Sequence, residues 1–404
     1  MSTNEDQVER AKRAFGAFFP VCRENAQWLW TFRFYEATDA DLRAFPTVSF
    51  PFELDLSFSK VTDGGIAELG KFKKLHGLRL AQTKVGDSGL EEICRHEQLR
   101  SLDLTSTLVS DRGLKLISKL KRLVNLSLDT TRVTDAGMKH LGRLGTLRHL
   151  ALGNARLTDG GVKFLSRLNN LTSLNVQQTA ISDVALKELS TLSRLSRFCA
   201  GGTPISDTGL AYLAKLRRLT VLDVENTNLT DAGLRVIAPL ENLVFLNVAC
   251  TKVTDAGLRE TAAHTNLDYL NLSGTQVTDS GLKHVAKLEN LKSIDLGWTR
   301  VTDAGLKSIA RLMNLQNLVL DGTVITDAGV KQLLKLRNLC RIVLSKTQVT
   351  DAAVAWISKF KHLQYLYLWN SQVTKSGINA LRKALPACEI NHSIGPRQRP
   401  GVKT

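Results

Sequence analysis

Long apolar runs are missing from this chain of 404 residues. Nothing in it approaches the roughly 20 consecutive apolar residues that a bilayer crossing needs. The run from Ala14 to Cys22 is short, contains Pro20 and follows Glu5, Asp6 and Glu9, so a cleaved secretion signal is not expected and residence in the cytoplasm is. Cysteine is sparse: the six, at 22, 94, 199, 250, 340 and 388, form no CxxC pair, which excludes a disulfide framework and a thiolate metal centre. Motifs of catalysis are absent as well. The eight histidines include no H-E-x-x-H, and there is no Walker loop, nucleophile elbow or dinucleotide fingerprint, so neither enzyme nor cofactor is expected. His149 with Ser127, Ser173 and Asp129 is a coincidence that a triad search would flag, in a face made of Ser, Asn and Asp. Aromatics, at 6%, suit a core built instead from leucine and valine.

What the chain does have is a period. Fourteen aspartates, from Asp39, Asp63 and Asp87 to Asp327 and Asp351, follow one another every 24 residues, and Lys375 stands next in phase. Around each of them the same phrase recurs, as in Leu270-Asn271-Leu272 followed by Thr275-Gln276-Val277-Thr278-Asp279-Ser280-Gly281-Leu282. Leu78, Leu102, Leu126, Leu150, Leu174, Leu222, Leu246, Leu270 and Leu318 alternate with polar residues, which predicts one short strand per repeat with one face buried. A column of Thr follows, with Ser at 59 and 371 and Ala only at 155; its hydroxyls are suited to satisfying buried turn backbone, with Ala155 the weak rung. The aspartate is expected to cap a helix at its positive end. A small residue two positions later, Gly in most coils but Ala at 185 and 353, suits close packing of neighbouring helices rather than a positive φ. Leu282, Val285 and Leu288 mark the apolar stripe of such a helix.

From about Trp30 to Ile390 these phrases resemble the bacterial leucine-rich-repeat proteins with a T-x-V-T-D-x-G-L signature, and are similar to the cysteine-containing repeats of eukaryotic F-box adaptors. The resemblance implies an α/β horseshoe solenoid of about fifteen 24-residue coils, with parallel strands on the concave face, helices on the convex face, and a binding function. Residues 1–48 read as an N-terminal helix (Asn4 to Phe18) and capping coil, 49–384 as the solenoid, 385–394 as a capping strand and 395–404 as a disordered basic tail.

The net charge of +16 separates by column. Lys283, Lys307 and Lys331 stand four residues after the aspartate, and Lys287, Arg311 and Lys335 four further on, so stacked coils build a basic ridge along the helices. It reads either as a solvated face or, less favoured, as a surface for nucleic acid or an anionic membrane. The outward strand columns have the opposite sign: eight acids, including Glu53, Asp55, Asp223, Glu225, Asp295 and Asp321, against Arg79, Arg197 and Arg341. The large outward residues, Phe245, Tyr269, Trp298, Tyr365, Tyr367 and Trp369, all fall in the second half. With Asp295 and Asp321 they form the candidate partner-binding set, Tyr365 to Trp369 being open to a second reading as a shield for the end of the array. The expected function is a monomeric, non-catalytic scaffold that holds another protein, carrying a basic segment, in its groove. A recognition adaptor in ubiquitin-dependent turnover, or a scaffold that uses the ridge, are the alternatives.

Overall fold

The computed structural model describes residues 18–23 and 27–392, which divide into two compact units, Met1–Ile205 and Ser206–Thr404. The expected helix at 4–18 and the tail at 395–404 lie largely outside the described residues, although Phe18 itself opens a strand.

In the first unit the strand Phe18–Arg23 pairs antiparallel with Gln27–Arg33. From there every pairing is parallel, through Phe52–Asp55 and Leu75–Arg79 to Arg197–Cys199, with residues 24 apart in register over most of its length. The second unit repeats this in eight parallel strands, from Val221–Asp223 to Glu389–Asn391. The fold is a leucine-rich-repeat solenoid. Most strands have three residues, because only the central leucine and the pair flanking it need the extended ladder. The chain then turns through a residue of positive φ, such as Asn226, Cys250, Gly274, Trp298, Gly322, Lys346 and Asn370 in the second unit. All of these but Asn370 give their N–H to a carbonyl of the next coil, as Trp298 does to Asp321 at 2.8 Å. Helices of about two turns follow, Asp279–Val285 being typical, so Leu288 lies beyond the helix although it is as fully buried as Leu282 and Val285.

The aspartate is not the N-cap. That position belongs to the preceding Ser or Thr, whose hydroxyl accepts from the amide two residues on, as Thr230 does from Ala232 at 3.2 Å. The carboxylate reaches instead into the following coil. Asp207 Oδ1 accepts from the Thr230 amide at 2.9 Å and Oδ2 from the Thr230 hydroxyl at 2.6 Å. Asp39, Asp87, Asp111, Asp135 and Asp159 make the same pair of bonds in the first unit. Asp231, Asp255, Asp279, Asp303, Asp327 and Asp351 make it in the second. The hydroxyl thus gives one bond to the coil before and takes one from its own helix. The coil that lacks it shows its value: Gly86 offers Asp63 only an amide, and the helix there begins late, at Gly89, with no side-chain cap.

The small-residue column owes its size to this same carboxylate. A β-carbon on Gly233 would lie 2.3 Å from Asp207 Oδ1, and on Gly281 2.4 Å from Asp255 Oδ1. Neither glycine has a positive φ, so smallness is the requirement, but its cause is the neighbour's carboxylate together with a leucine, not helix against helix. In the Thr column each threonine hydroxyl satisfies turn backbone, donating to the carbonyl three residues back in its own coil, as Thr251 does to Val248 at 2.6 Å. Ala155 keeps the backbone turn bond to Leu152 and offers no hydroxyl.

At the C-terminal end the helix Lys375–Ala384 runs into the expected capping segment, and the last strand is only Glu389–Asn391. Five cysteines are free among the described residues, and burial pushes the Cys94 thiol up to about 12. His96 and His264 fill a column of Leu and Phe. His264 is wholly buried, its Nδ1 against the Leu240 carbonyl at 3.1 Å and its Nε2 without a partner.

Two measurements test these assignments. Asp231→Ala strands the Thr254 amide and hydroxyl, so it should cost about 2–4 kcal/mol in denaturant unfolding rather than the ~1 kcal/mol of a lost cap, close to the ~2–5 kcal/mol of Leu246→Ala. A loss below about 1 kcal/mol would remove the bridge as a principal stabiliser. Burial holds the His264 ring below its ordinary value, so the unfolded chain binds a proton at a higher pH than the folded one. Stability is therefore complete above about pH 6.5 and is lost progressively as pH falls through that value. His264→Leu should flatten this slope and raise the midpoint; an unchanged slope would exclude His264 as its source.

Candidate functional site

All the residues singled out for partner binding lie in the second unit, but they do not form one cluster. Phe245 and Tyr269 are partners in register on adjacent strands. Their rings stack with centroids 4.2 Å apart and planes 3° from parallel. Since neighbouring strands run about 4.8 Å apart, the rings stand on edge to the sheet, face to face along the direction of stacking. The outer face of Tyr269 is turned toward Ser293, its partner on the next strand. Asp295 follows two residues later on that strand, with Oδ1 accepting from the Gly297 amide at 2.8 Å. On the other side Asp223 accepts from the Glu225 amide at 3.2 Å, and Glu225 from Asn247 Nδ2 at 3.0 Å. The Tyr269 hydroxyl is pushed up to about 12, chiefly by burial and then by the charges of Asp295, Asp223 and Glu225. A side-chain hydrogen bond with Asn271 acts the other way, and the hydroxyl stays neutral throughout the physiological range.

Trp298 is not on a strand. It occupies the left-handed turn column at φ 56°, where a bulky side chain is strained, and is 48% exposed. Its Nε1 donates to Asp321 Oδ2 at 3.1 Å. Its ring covers Gly322, where a β-carbon would fall 2.6 Å from ring atoms, and the Lys346 ammonium stands 4.8 Å from the ring centroid. Trp298, Gly322 and Lys346 are successive members of one column, so the turn geometry itself assembles them.

The third group lies near the end of the array. Tyr365 is exposed. Tyr367 meets Trp369 edge to face at 5.8 Å, and the Arg341 guanidinium lies 5.1 Å from the Tyr367 ring. Arg341 and Lys346 thus cover the Tyr367 and Trp298 rings.

Elsewhere the charge reading needs correction. Glu53 and Asp55 are covered rather than exposed on the strand face, at 3% and 5% exposure. Asp55 is paired with Arg33 at 3.0 Å and with Arg79 at 3.6 Å, and Glu53 with Arg79 at 3.9 Å. Four of the remaining acids, Asp223, Glu225, Asp295 and Asp321, belong to the second unit. Around His149, the Ser127 hydroxyl is engaged with Thr105 at 2.7 Å, and Asp129 with the Gly153 amide and Asn175. Burial raises the Asp129 carboxyl above its usual range. These bonds tie coil to coil, the one from Asn175 reaching back two coils.

On the helical side Lys283, Lys287, Lys307, Arg311, Lys331 and Lys335 are all exposed. Lys331 stands 5.0 Å from the centroid of Trp356, and Lys359 4.7 Å from it, an aromatic that the sequence pattern did not single out.

Among known proteins, the leucine-rich repeat region family matches residues 206–389, which is nearly all of the second unit. An internalin from Listeria monocytogenes superimposes with a TM-score of 0.61 at 23% identity, over 82% of this chain and 89% of that one. A leucine-rich-repeat protein of Leptospira interrogans gives 0.58 at 22% identity, over 84% and 89%. At these identities the likeness is one of fold. No curated protein matches the chain in sequence.

Positive φ at Trp298 is a cost that Asn, which stands in the same column at 154, 226 and 370, avoids. Trp298→Asn should therefore leave the thermal midpoint unchanged or raise it. A fall of several degrees would mean that the stack on Gly322 and Lys346 outweighs the strain and that Trp298 is there for the fold.

Proposed function

We propose that this solenoid is a non-catalytic scaffold that holds a protein partner, through a basic segment, on the strand face of its second unit. The observation that carries the reading is the Phe245–Tyr269 stack among Asp223, Glu225 and Asp295. Large, rigid, half-exposed rings contribute nothing to the buried leucine column beneath them, whereas in an interface they supply contact area at small entropic cost. The carboxylates around them set the sign of the partner. Asp321 and Trp298 extend the same surface. Tyr365, Tyr367 and Trp369 form its far end or shield the edge of the array.

The basic ridge supports a second, weaker reading. Lys331, Lys359 and Trp356 put cations and an aromatic together in the manner of surfaces that hold nucleic acid, as Lys163, Arg167 and Phe164 do in the first unit, but such aromatics are isolated and do not repeat from coil to coil. A solvated face accounts for the rest.

The two readings separate in one experiment. Proteins captured by the full chain are compared with those captured by Asp295→Lys/Asp321→Lys and by Lys283→Glu/Lys307→Glu/Arg311→Glu. The groove reading expects loss of the partner with the first variant and retention with the second. Retention by the first and loss by the second would overturn it, as would sub-micromolar nucleic-acid binding at physiological salt that the second variant abolishes.

A further inference from the structure

The aromatics of the second unit differ in what the chain places over them. Trp298, Tyr367 and Trp356 each have a cation of this chain over the ring: Lys346 at 4.8 Å, Arg341 at 5.1 Å, and Lys331 and Lys359 at 5.0 and 4.7 Å. Phe245 and Tyr269 have none, although among the described residues they form the closest and most nearly parallel aromatic pair, and three carboxylates bear on the Tyr269 hydroxyl. At those three rings the chain supplies its own cation. Here it supplies the anions alone.

The geometry selects among cations. The outer face of Tyr269 lies on the side of Ser293, its register partner, whose side chain is short, and Asp295 stands on the same strand with one carboxylate oxygen fixed by the Gly297 amide. A flat group laid on that face would present its edge to Asp295. An arginine guanidinium is planar, stacks on aromatic faces and donates from its rim, whereas an ammonium is a compact point charge that does not need a ring standing on edge beside a carboxylate. Resting on the groove reading above, we propose that the outer face of Tyr269, above Ser293, takes the guanidinium of an arginine in the partner's basic segment, stacked on the ring and hydrogen-bonded to Asp295. Phe245 backs the ring on its other side and holds it upright. Asp223 and Glu225 lie beyond Phe245, where they would bias the following positive residue of that segment toward the neighbouring strands.

The probe is an acetylated, amidated pentapeptide, Gly-Arg-Gly-Arg-Gly, titrated into the full chain with ring signals of the tyrosines followed by NMR. Tyr269→Phe assigns the Tyr269 signal and keeps the stack. The same peptide with citrulline in place of arginine has the shape of the side chain without its charge. Saturable shifts at Tyr269 with the arginine peptide, and weaker binding by roughly threefold to thirtyfold with citrulline, are expected. Asp295→Asn, which leaves both rings in place, should weaken the arginine peptide by roughly tenfold. Tyr367→Leu should change its affinity less than about twofold, because that ring already has Arg341 over it. Equal binding of the two peptides, shifts at Tyr367 rather than Tyr269, or indifference to Asp295→Asn would each overturn the assignment. The outcomes for the subsite and for the groove are separable. A partner captured by the full chain and retained by Tyr269→Leu, with its thermal midpoint preserved, refutes the arginine subsite and spares the groove, whereas peptide binding as described without any groove-dependent partner refutes the scaffold reading and spares the subsite.

Discussion

A carboxylate that bonds forward, from the first turn of one helix to the Ser or Thr that caps the next, is the interaction on which the second unit's coils and most of the first unit's depend. A single coil buries one leucine stripe and closes one turn, too little to outweigh the entropy of ordering its two dozen residues. Stacking therefore has to be specified, and apolar contact alone would let neighbouring coils slide. The Asp207–Thr230 pair and its repeats fix the register with two directed bonds each. Two other columns follow from it, and so does the point where the series ends. The capping residue must carry a hydroxyl, because it gives one bond and takes another. The residue two beyond the aspartate must be small, because the previous coil's carboxylate lies against it. And where the series stops, at Lys375, the sequence 23 residues on has Gln398 rather than Ser or Thr.

The period, the strand column and the parallel array were legible because each depends on a residue type repeated in phase. The role of the aspartate was not. From one sequence, Ser/Thr-Asp at the start of a helix reads equally as cap and first-turn acid, and nothing local reveals a bond to a residue 23 positions away. The left-handed turn column was hidden for another reason. Gly stands there at only three places, 202, 274 and 322, while Phe58, Cys250, Trp298 and Lys346 accept the same φ. The inter-coil amide bond compels that conformation whatever the side chain, so composition carries little sign of it. Glu53 and Asp55 misled the charge reading because alternation predicts which way a side chain points, not whether arginines close over it.

The candidate site was legible as a list and illegible as an arrangement. Every large residue named for the strand face does lie in the second unit, yet Phe245 and Tyr269 stack on adjacent strands, Trp298 sits in a turn, and Tyr367 with Trp369 lies four strands beyond Tyr269. Their partners came from columns that no sequence pattern marks as functional: Gly322 as a floor for the Trp298 ring, Lys346 and Arg341 as covering cations.

That arrangement changes what an exposed aromatic signifies on a repeat surface. Where a lysine or arginine of the same chain covers the ring, the surface presents a charge backed by apolar area, and a basic partner would have to displace that cation and leave it over the same face. Where the chain places acids around the ring and no cation on it, the same partner meets attraction from both components at once. The repeat fixes leucine, aspartate, threonine and glycine and leaves the outward strand positions free, so this difference is set by a few substitutions: Ser293 rather than a long side chain beside Tyr269, and Asp295 rather than the Val319 and Val343 that follow in its row. On the groove reading, specificity on this face would follow less from how many aromatics it carries than from which of them the chain has surrounded with acids and left without a cation of its own.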